Sequence, residues 1–377
     1  MKKKYIYLDY SATTKPDKRV LNYFSDICEN NYANPNSNHI LGKNSHKIID
    51  KATKIICSYL NIDEEELIYT SGASEANNTI FKGLKSDKRK HIITSPLEHS
   101  SIYGPIGYLQ KKGYKVSIVP LKNDGRVDIE ALEKMITEDT FLVSIAAVDS
   151  EIGTRQPVEE IGKMLKKYPN IIFHSDITQC IGKDKISLEN IDLASFSGHK
   201  IFCFKGIGGL IKKKSIKLEP LIHGGKSVTK YRSGTPQTAL IGSLGKSFSL
   251  FKNIIDKNKE YVTNLNNQIR NHIEKYNNKI KINSPSIAIP NVLNISFLGK
   301  NPNTIQKYFA ENYIIISTKT ACSNDDGLSK SVYNITGDEE RAKSSVRISL
   351  SYKTTQKEIN YLLKTIDKLM GEYNEIN

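Results

Sequence analysis

The chain has 377 residues, more than the roughly 250–300 that one hydrophobic core usually supports, so two domains are expected. Hydrophobic residues make up 38% and charged residues 25%, a balance typical of globular proteins and not of disordered ones. No apolar run approaches the roughly 20 residues that span a bilayer, and the basic start has no apolar signal segment behind it. The sequence therefore predicts a cytoplasmic protein without a membrane partner.

The net charge of +15 first suggests a nucleic-acid partner. The positive charge is almost entirely lysine spread along the chain, with only eight arginines, and no basic cluster is interleaved with aromatic residues. Arginine is the residue favoured for bidentate recognition of phosphates and bases. We therefore expect no direct nucleic-acid binding, whereas a basic surface suits acidic partner proteins.

The five cysteines are odd in number and show no CxxC spacing, which argues against a disulfide framework and against a zinc site. Cys322 differs from the others because a polar, turn-prone stretch follows it, 323–329. The remaining four lie beside apolar residues and are predicted to fill the core: Cys28, Cys57, Cys180 and Cys203.

Short apolar runs alternate with helical patterns through the first two-thirds of the chain. The runs that read as buried strands are 67–69, 91–94, 115–119, 142–148, 171–174, 193–196 and 206–211. Helical segments such as 129–136 and 158–167 separate several of them. Strands that alternate with helices predict crossover units and a mostly parallel sheet, the α/β fold class.

The last third of the chain changes character. Residues 239–276 predict one long, charged helix that leaves the sheet, and strand–helix–strand patterns resume from 280 onward. We expect a large domain over 15–255, and a small α+β domain formed by 1–14 with 256–377.

Two residues with cofactor chemistry follow neighbouring predicted strands. Asp176 comes just after one strand, and Lys200 lies four residues after the next. Open parallel sheets bind ligands beyond the carboxyl ends of their strands, so both side chains would face one crevice. Pyridoxal 5'-phosphate requires an amine that forms a Schiff base and a carboxylate that keeps the pyridine nitrogen protonated.

A phosphate site is predicted where the strand at 67–69 meets a helix. Gly72 would let the backbone approach an anion, and the helix N-terminus supplies free N–H groups. The alternative is a simple helix cap, with Ser71 or Ser74 as the capping residue. His99 follows the second core strand and could stack on a ring or transfer protons, or could be merely structural.

An ordered set of motifs carries a family resemblance. The motifs are Asp9-Tyr10-Ser11-Ala12-Thr13-Thr14, Asn34-Pro35, Thr70-Ser71-Gly72-Ala73, Glu98-His99, Asp176-Ile177-Thr178-Gln179, Ser197-Gly198-His199-Lys200, Arg232-Ser233-Gly234-Thr235, Ala321-Cys322-Ser323 and Ser344-Ser345-Val346-Arg347. In this order the chain resembles cysteine desulfurases of the NifS/IscS kind, within the class V aminotransferase family of fold type I. The resemblance implies a large domain with a seven-stranded, helix-covered sheet.

The resemblance also implies roles for single residues. Lys200 would hold the cofactor and move protons, and His99 would stack on its ring and assist proton transfer. Asp176 would pair with the pyridine nitrogen, and Gln179 with the phenolic oxygen. The other cofactor contacts would be Ala73, Ser74, Ser150, Ser197 and His199, with Thr235 supplied by the partner subunit of a homodimer.

The substrate implied by the resemblance is L-cysteine, which would be converted to L-alanine. Arg347, with Asn34 nearby, would bind its carboxylate. Cys322 would take the sulfur as a persulfide on a long loop and pass it to an Fe–S scaffold or a tRNA-thiolation enzyme. No resident metal is expected, although Cys322 could briefly contact an Fe–S cluster.

The sequence departs from the family pattern at three places. Asp149-Ser150-Glu151 replaces Asn-Asn-Glu, so a hydrogen bond to the cofactor and substrate is lost or bridged by water. The other departures are at 224–228 and at Ser351-Tyr352. Two alternatives stay open: another reaction of the same fold, such as selenocysteine lyase or aminotransferase chemistry, and a non-catalytic scaffold.

Overall fold

The structure is a computed structural model, and it describes residues 5–84, 88–225, 227–318 and 328–375. Within these ranges no helix is both long and apolar enough to cross a membrane.

The described strands fall into three sheets. They are β1 (Ile6–Tyr7), β2 (Leu67–Thr70), β3 (His91–Thr94), β4 (Lys115–Ile118), β5 (Thr140–Ser144), β6 (Ile172–Asp176), β7 (Leu193–Ser197), β8 (Gly208–Lys212), β9 (Ile280–Ile282), β10 (Val292–Phe297), β11 (Ile314–Ile315) and β12 (Ser345–Ser349).

The described helices precede, separate and follow these strands. They are α1 (Lys18–Asn30), α2 (Ile40–Leu60), α3 (Ala73–Gly83), α4 (Ser100–Gln110), α5 (Ile129–Met135), α6 (Val158–Leu165), α7 (Thr238–Phe251), α8 (Ile255–Ile273), α9 (Pro302–Glu311), α10 (Lys330–Thr336), α11 (Glu339–Lys343) and α12 (Gln356–Gly371).

The largest described sheet has seven strands in the order β2-β8-β7-β6-β5-β3-β4. The pairs from β7 to β4 are parallel, whereas β8 runs antiparallel to both of its neighbours, β7 and β2. The predicted α/β class with a mostly parallel, seven-stranded sheet is therefore confirmed.

Alternation along the strands explains why both faces of this sheet are covered. Ile93 and Val143 belong to a hydrophobic cluster that also contains residues of α2, α6 and α7. Their neighbours Ile92 and Leu142 point the other way, into a cluster with residues of α3 and α4. Successive side chains of a strand face opposite sides, so near-continuous apolar runs are what a doubly covered sheet requires.

A smaller antiparallel sheet, in the order β12-β10-β9, follows in the last third of the chain, and β1 pairs with β11 in parallel. Its hydrophobic cluster includes residues of α8, α9 and α12, such as Leu265, Phe309 and Leu362. The predicted division into two domains near residue 255 stays a prediction.

The expectations about one helix and one cysteine are wrong. The single helix over 239–276 is broken between α7 and α8, because Phe251 packs in the cluster of the large sheet while Val262 packs in that of the small one. Cys28 is exposed and not in the core. The buried residues of α1 are Val20 and Ile27, and Cys28 lies about 100° further round the helix than Ile27.

Candidate active site

A cavity of about 410 Å³ opens where the parallel strands of the large sheet end. Strands that run in the same direction bring their carboxyl ends to one edge, which is where α/β folds bind ligands. Predicted site residues that line it are Ala73, Ser74, His99, Ser150, Asp176, Gln179, Ser197, His199, Lys200 and Arg347.

Lys200 ends the short turn Gly198–Lys200 that directly follows β7. Its Nζ donates hydrogen bonds to the carbonyl oxygens of Ser11 and Ala12, at 2.6 Å each. The segment after β1 therefore reaches across to the large sheet and holds the amine at the cavity wall.

Asp176 is the last residue of β6, and only 7% of it is exposed. Its Oδ1 accepts a hydrogen bond from the backbone N–H of Thr178 at 2.9 Å. Its Oδ2 accepts one from the amide of Asn77 at 3.0 Å. Because both oxygens accept hydrogen bonds, the carboxyl group is fixed in direction beside the cavity.

The N-terminus of α3 borders the same cavity and has no side-chain cap. The alternative in which Ser71 or Ser74 caps this helix is therefore wrong. Gly72 precedes the helix with a φ of +149°, and a Cβ there would lie 3.3 Å from Ser197 Oγ. Uncapped N–H groups and the helix dipole favour a bound anion such as phosphate.

The polar groups of the cavity match the parts of pyridoxal phosphate. The amine of Lys200 suits its aldehyde, the Asp176 carboxyl its pyridine nitrogen, and the start of α3 its phosphate. Ser11 Oγ and Thr178 Oγ1 are buried at the wall without a hydrogen-bond partner among the described residues. Buried hydroxyls are normally satisfied, so a polar ligand fits this cavity.

His99 is the N-cap residue of α4, and its Nδ1 accepts a hydrogen bond from the backbone N–H of Ser101 at 3.1 Å. Burial lowers the pKa of His99; the nearby Lys200 acts in the same direction and Asp176 in the opposite one. The ring therefore favours its neutral form at the cavity wall.

Arg347 lies on β12, and 3% of its side chain is exposed. Its Nη1 donates to the carbonyl oxygen of Ser150 at 2.9 Å, and its Nη2 to Asp9 Oδ1 at 2.8 Å. Its Nε is buried without a partner among the described residues. The guanidinium is thus held rigidly and retains donor capacity for a carboxylate ligand.

Cys322 lies outside the described residues, but the chain on both sides of it is anchored next to the cavity. Before it, Ser317 exchanges backbone hydrogen bonds with Arg347, at 3.1 and 2.7 Å. After it, Ser331 Oγ donates to Asp149 Oδ2 at 3.1 Å. The segment that carries the cysteine thus begins and ends beside residues that border the site.

Asn34 and Thr235 are exposed and do not line the cavity of a single chain. The resemblance assigns Thr235 to the site of the partner subunit, and its role stays a prediction. The role of Asn34 in substrate binding also stays a prediction.

Lys183, which no sequence motif singles out, donates a hydrogen bond to Gln179 Oε1. Burial lowers the pKa of Lys183 to about 7, and the positive charges of Lys200 and Arg347 add to this effect. Its signal in the sequence is a lysine directly after the uncharged stretch 177–182.

The sequence profile of the family described as "Aminotransferase class-V" matches residues 6–362. A cysteine desulfurase IscS of Clostridium botulinum is 35% identical, over 99% of this chain and 96% of that protein. A solved structure described as a NifS-like protein has a TM-score of 0.92 and 33% identity, and covers 97% of this chain and 99% of its own.

Another solved structure, described as SspA in complex with cysteine, has a TM-score of 0.81 and 31% identity. It covers 93% of this chain and 99% of its own. The comparisons agree with the resemblance seen in the sequence. By the match over residues 6–362, the chain belongs to the class-V aminotransferase family.

Proposed function

We propose that this chain is a pyridoxal-phosphate-dependent cysteine desulfurase, which converts L-cysteine to L-alanine and takes the sulfur onto Cys322. The observation that carries the proposal is one cavity lined by the amine of Lys200, the carboxyl of Asp176 and the guanidinium of Arg347. The relative from Clostridium botulinum, named as a cysteine desulfurase, and the SspA structure described with bound cysteine support this choice.

The protein's own groups would bind and orient the cofactor. Lys200 would hold its aldehyde carbon, Asp176 its pyridine nitrogen and Gln179 its phenolic oxygen. The start of α3, with Ala73 and Ser74, would bind the phosphate together with Ser197 and His199. When bound, the cofactor withdraws electrons from the substrate's Cα, which weakens the bonds around that carbon.

The substrate carboxylate would bind to Arg347, whose guanidinium is fixed by Asp9 and Ser150. Lys200 would accept the proton from the substrate's Cα and return one. Binding and proton transfer then occur at one wall of the cavity, over a short distance.

Sulfur transfer would require the thiolate of Cys322. Its Sγ would attack the sulfur of the bound cysteine, so that an S–S bond forms while the Cβ–S bond breaks. The electron pair of the broken bond stays with the substrate carbon, which takes up a proton and becomes the methyl group of alanine. The anchoring of Ser317 to Arg347 supports the geometry, since four residues span at most about 14 Å from Thr318 to Cys322.

The remaining parts of the proposal concern assembly and location. The chain would act in the cytoplasm as a homodimer in which Thr235 of each subunit contributes to the other's phosphate site. Sulfur would pass to an Fe–S scaffold or to a tRNA-thiolation enzyme, and a basic surface suits acidic acceptors.

The test measures alanine and sulfide formed from L-cysteine by the wild-type chain and by Cys322→Ser. We expect alanine from the wild type and a loss of at least about a hundredfold in the variant, because serine cannot accept sulfur as a persulfide. Undiminished sulfide release by Cys322→Ser would point to a lyase that needs no cysteine. A chain that stays colourless with added cofactor would point to a scaffold.

A further inference from the structure

A buried amide connects two parts of the candidate site. Asn77 lies on α3 and is fully buried. Its Nδ2 donates one hydrogen bond to Asp176 Oδ2 at 3.0 Å and another to Ser101 Oγ at 2.9 Å. Its Oδ1 is buried without a partner among the described residues. A rotated amide would turn this oxygen toward the Asp176 carboxyl, so the carboxyl fixes the amide's orientation.

The Ser101 hydroxyl continues this connection to the imidazole of His99. Because Ser101 Oγ accepts from Asn77, its own proton is free to go to His99 Nδ1, which lies at 2.9 Å. The backbone N–H of Ser101 also points at Nδ1, at 3.1 Å. A ring nitrogen that accepts from two donors carries no proton, so the neutral ring has its proton on Nε2.

We propose that Asn77 and Ser101 are positioning residues of this site: they link Asp176 to His99 through three hydrogen bonds and hold the imidazole neutral, with its proton on Nε2. The proposal rests on the proposed function only in that the cavity binds the cofactor. The chain Asp176–Asn77–Ser101–His99 aligns the two groups that would meet the cofactor ring.

This arrangement gives His99 and Lys200 different roles in the site. With Nδ1 occupied and a proton on Nε2, His99 is a hydrogen-bond donor toward a ligand in the cavity and not a proton acceptor. Lys200 is then the group that takes the proton from the substrate's Cα. The sequence suggested that His99 would assist proton transfer, and the hydrogen-bond chain restricts it to stacking and to donating a hydrogen bond.

Burial and the charged groups around His99 determine the direction in which its pKa should change. Burial disfavours the protonated imidazole most strongly, Asp176 favours it, and Lys200 disfavours it. The two donors on Nδ1 stabilise the neutral ring. Removing the Ser101 hydroxyl should therefore raise the pKa of His99, by about one unit for one lost hydrogen bond.

The first experiment uses the cofactor-bound protein labelled with ¹⁵N at histidine, with the His99 signal assigned by its absence in His99→Asn. In the wild type we expect the neutral ring to carry its proton on Nε2. Ser101→Ala should titrate about one pH unit higher, and Ser101→Thr, which keeps the hydroxyl, should titrate like the wild type. Ser100→Ala is the matched control, since Ser100 is exposed in the same helical turn.

The second experiment replaces the amide donor without changing its shape. In Asn77→Asp a carboxylate would face the Asp176 carboxyl, so we expect the apparent Kd for pyridoxal phosphate to rise tenfold to a hundredfold, about the worth of a hydrogen bond to a charged group. Absorbance of the bound cofactor during reconstitution measures this constant without any substrate.

The two sets of results separate the proposals. A His99 proton on Nδ1 in the wild type, or an unchanged titration in Ser101→Ala, overturns the positioning role, as does an unchanged cofactor Kd in Asn77→Asp. A chain that passes these tests and yet forms no alanine from L-cysteine retains the hydrogen-bond chain and loses only the proposed reaction.

Discussion

Asp9 and Arg347 form an ion pair of 2.8 Å that joins the segment after β1 to β12, across 338 positions of sequence. The pair is nearly enclosed, with 3% of the arginine side chain and 16% of the aspartate side chain exposed. Since the second terminal nitrogen is held by the Ser150 carbonyl, Arg347 has one defined orientation at the cavity. A rigid guanidinium binds a carboxylate with little loss of side-chain entropy.

The first prediction concerns this guanidinium. We expect Arg347→Lys to raise the KM for L-cysteine by about tenfold to a hundredfold, because a point charge replaces a planar donor that suits a carboxylate. Steady-state alanine formation gives KM and kcat separately. Arg341→Lys is the matched control, since Arg341 binds Asn283 and the Ile282 carbonyl away from the cavity. An unchanged KM in Arg347→Lys would remove this residue from substrate binding.

The second prediction concerns Ser150. Its backbone carbonyl binds Arg347 whichever side chain it carries, and the residue lines the cavity. We expect Ser150→Asn to lower the KM for L-cysteine by up to about tenfold, since an added hydrogen bond contributes about 1 kcal/mol. The same substitution at the exposed Ser100 should change nothing. A higher KM in Ser150→Asn would mean that serine suits another substrate or partner.

The fold and much of the site follow from local patterns in the sequence. Apolar runs and the polar residues after them were enough to predict the parallel sheet and to place Asp176 and Lys200 at one edge. The run 142–148 was too long as a strand: β5 ends at Ser144, although Ile145 and Ala147 still donate backbone hydrogen bonds to β6. An apolar run shows that a segment is buried but not where its strand ends.

Contacts between distant segments could not be predicted in this way. Spacing does not show that Asp9 meets Arg347, nor that Asn77 reaches both Asp176 and Ser101. These partners depend on how separate loops converge at the sheet edge. The family resemblance supplied the roles of the motif residues, but it assigned none to Asn77 or Ser101.

The third prediction concerns stability near the departure at Ser351-Tyr352. Lys353 Nζ donates to Asp17 Oδ2 at 2.6 Å, and Arg19 Nε donates to Oδ1 at 2.9 Å. The Arg19 hydrogen bond holds the pKa of Asp17 well below its usual range, and Lys353 adds to this. We expect Lys353→Met to lower the free energy of unfolding by ~1 kcal/mol at neutral pH, because it removes one partner of a buried carboxylate.

The pH dependence of this effect on stability follows from the lowered pKa of Asp17. The stabilisation by Asp17 is present above its unfolded pKa of about 3.9 and is lost as the pH falls through the lower folded value. Denaturant unfolding from neutral pH downward should therefore show the wild type and Lys353→Met converging below about pH 4. Lys343→Met, in an exposed pair with Glu339, is the control and should stay within about 0.5 kcal/mol of the wild type. A difference that persists in strong acid would contradict the assignment to Asp17.

The last prediction concerns Lys183, whose ammonium donates to Gln179 Oε1. That bond leaves the Gln179 Nε2 group as a donor, directed at the Ser11 carbonyl at 3.0 Å. Burial lowers the pKa of Lys183 to about 7, so a positive charge beside the site is present below that pH and lost above it. We expect the absorbance of bound pyridoxal phosphate to show a step near pH 7 as this charge is lost.

Lys183→Met should remove that step, and Lys183→Arg should shift it out of the neutral range, because arginine stays protonated. Lys185→Met is the matched control: Lys185 is 71% exposed and pairs with Asp256. The titration needs no substrate, so it reads the charge beside the cofactor independently of turnover. A step near neutral pH that survives in Lys183→Met would assign it to another group at the cavity, and Lys183 would then serve only to hold Gln179.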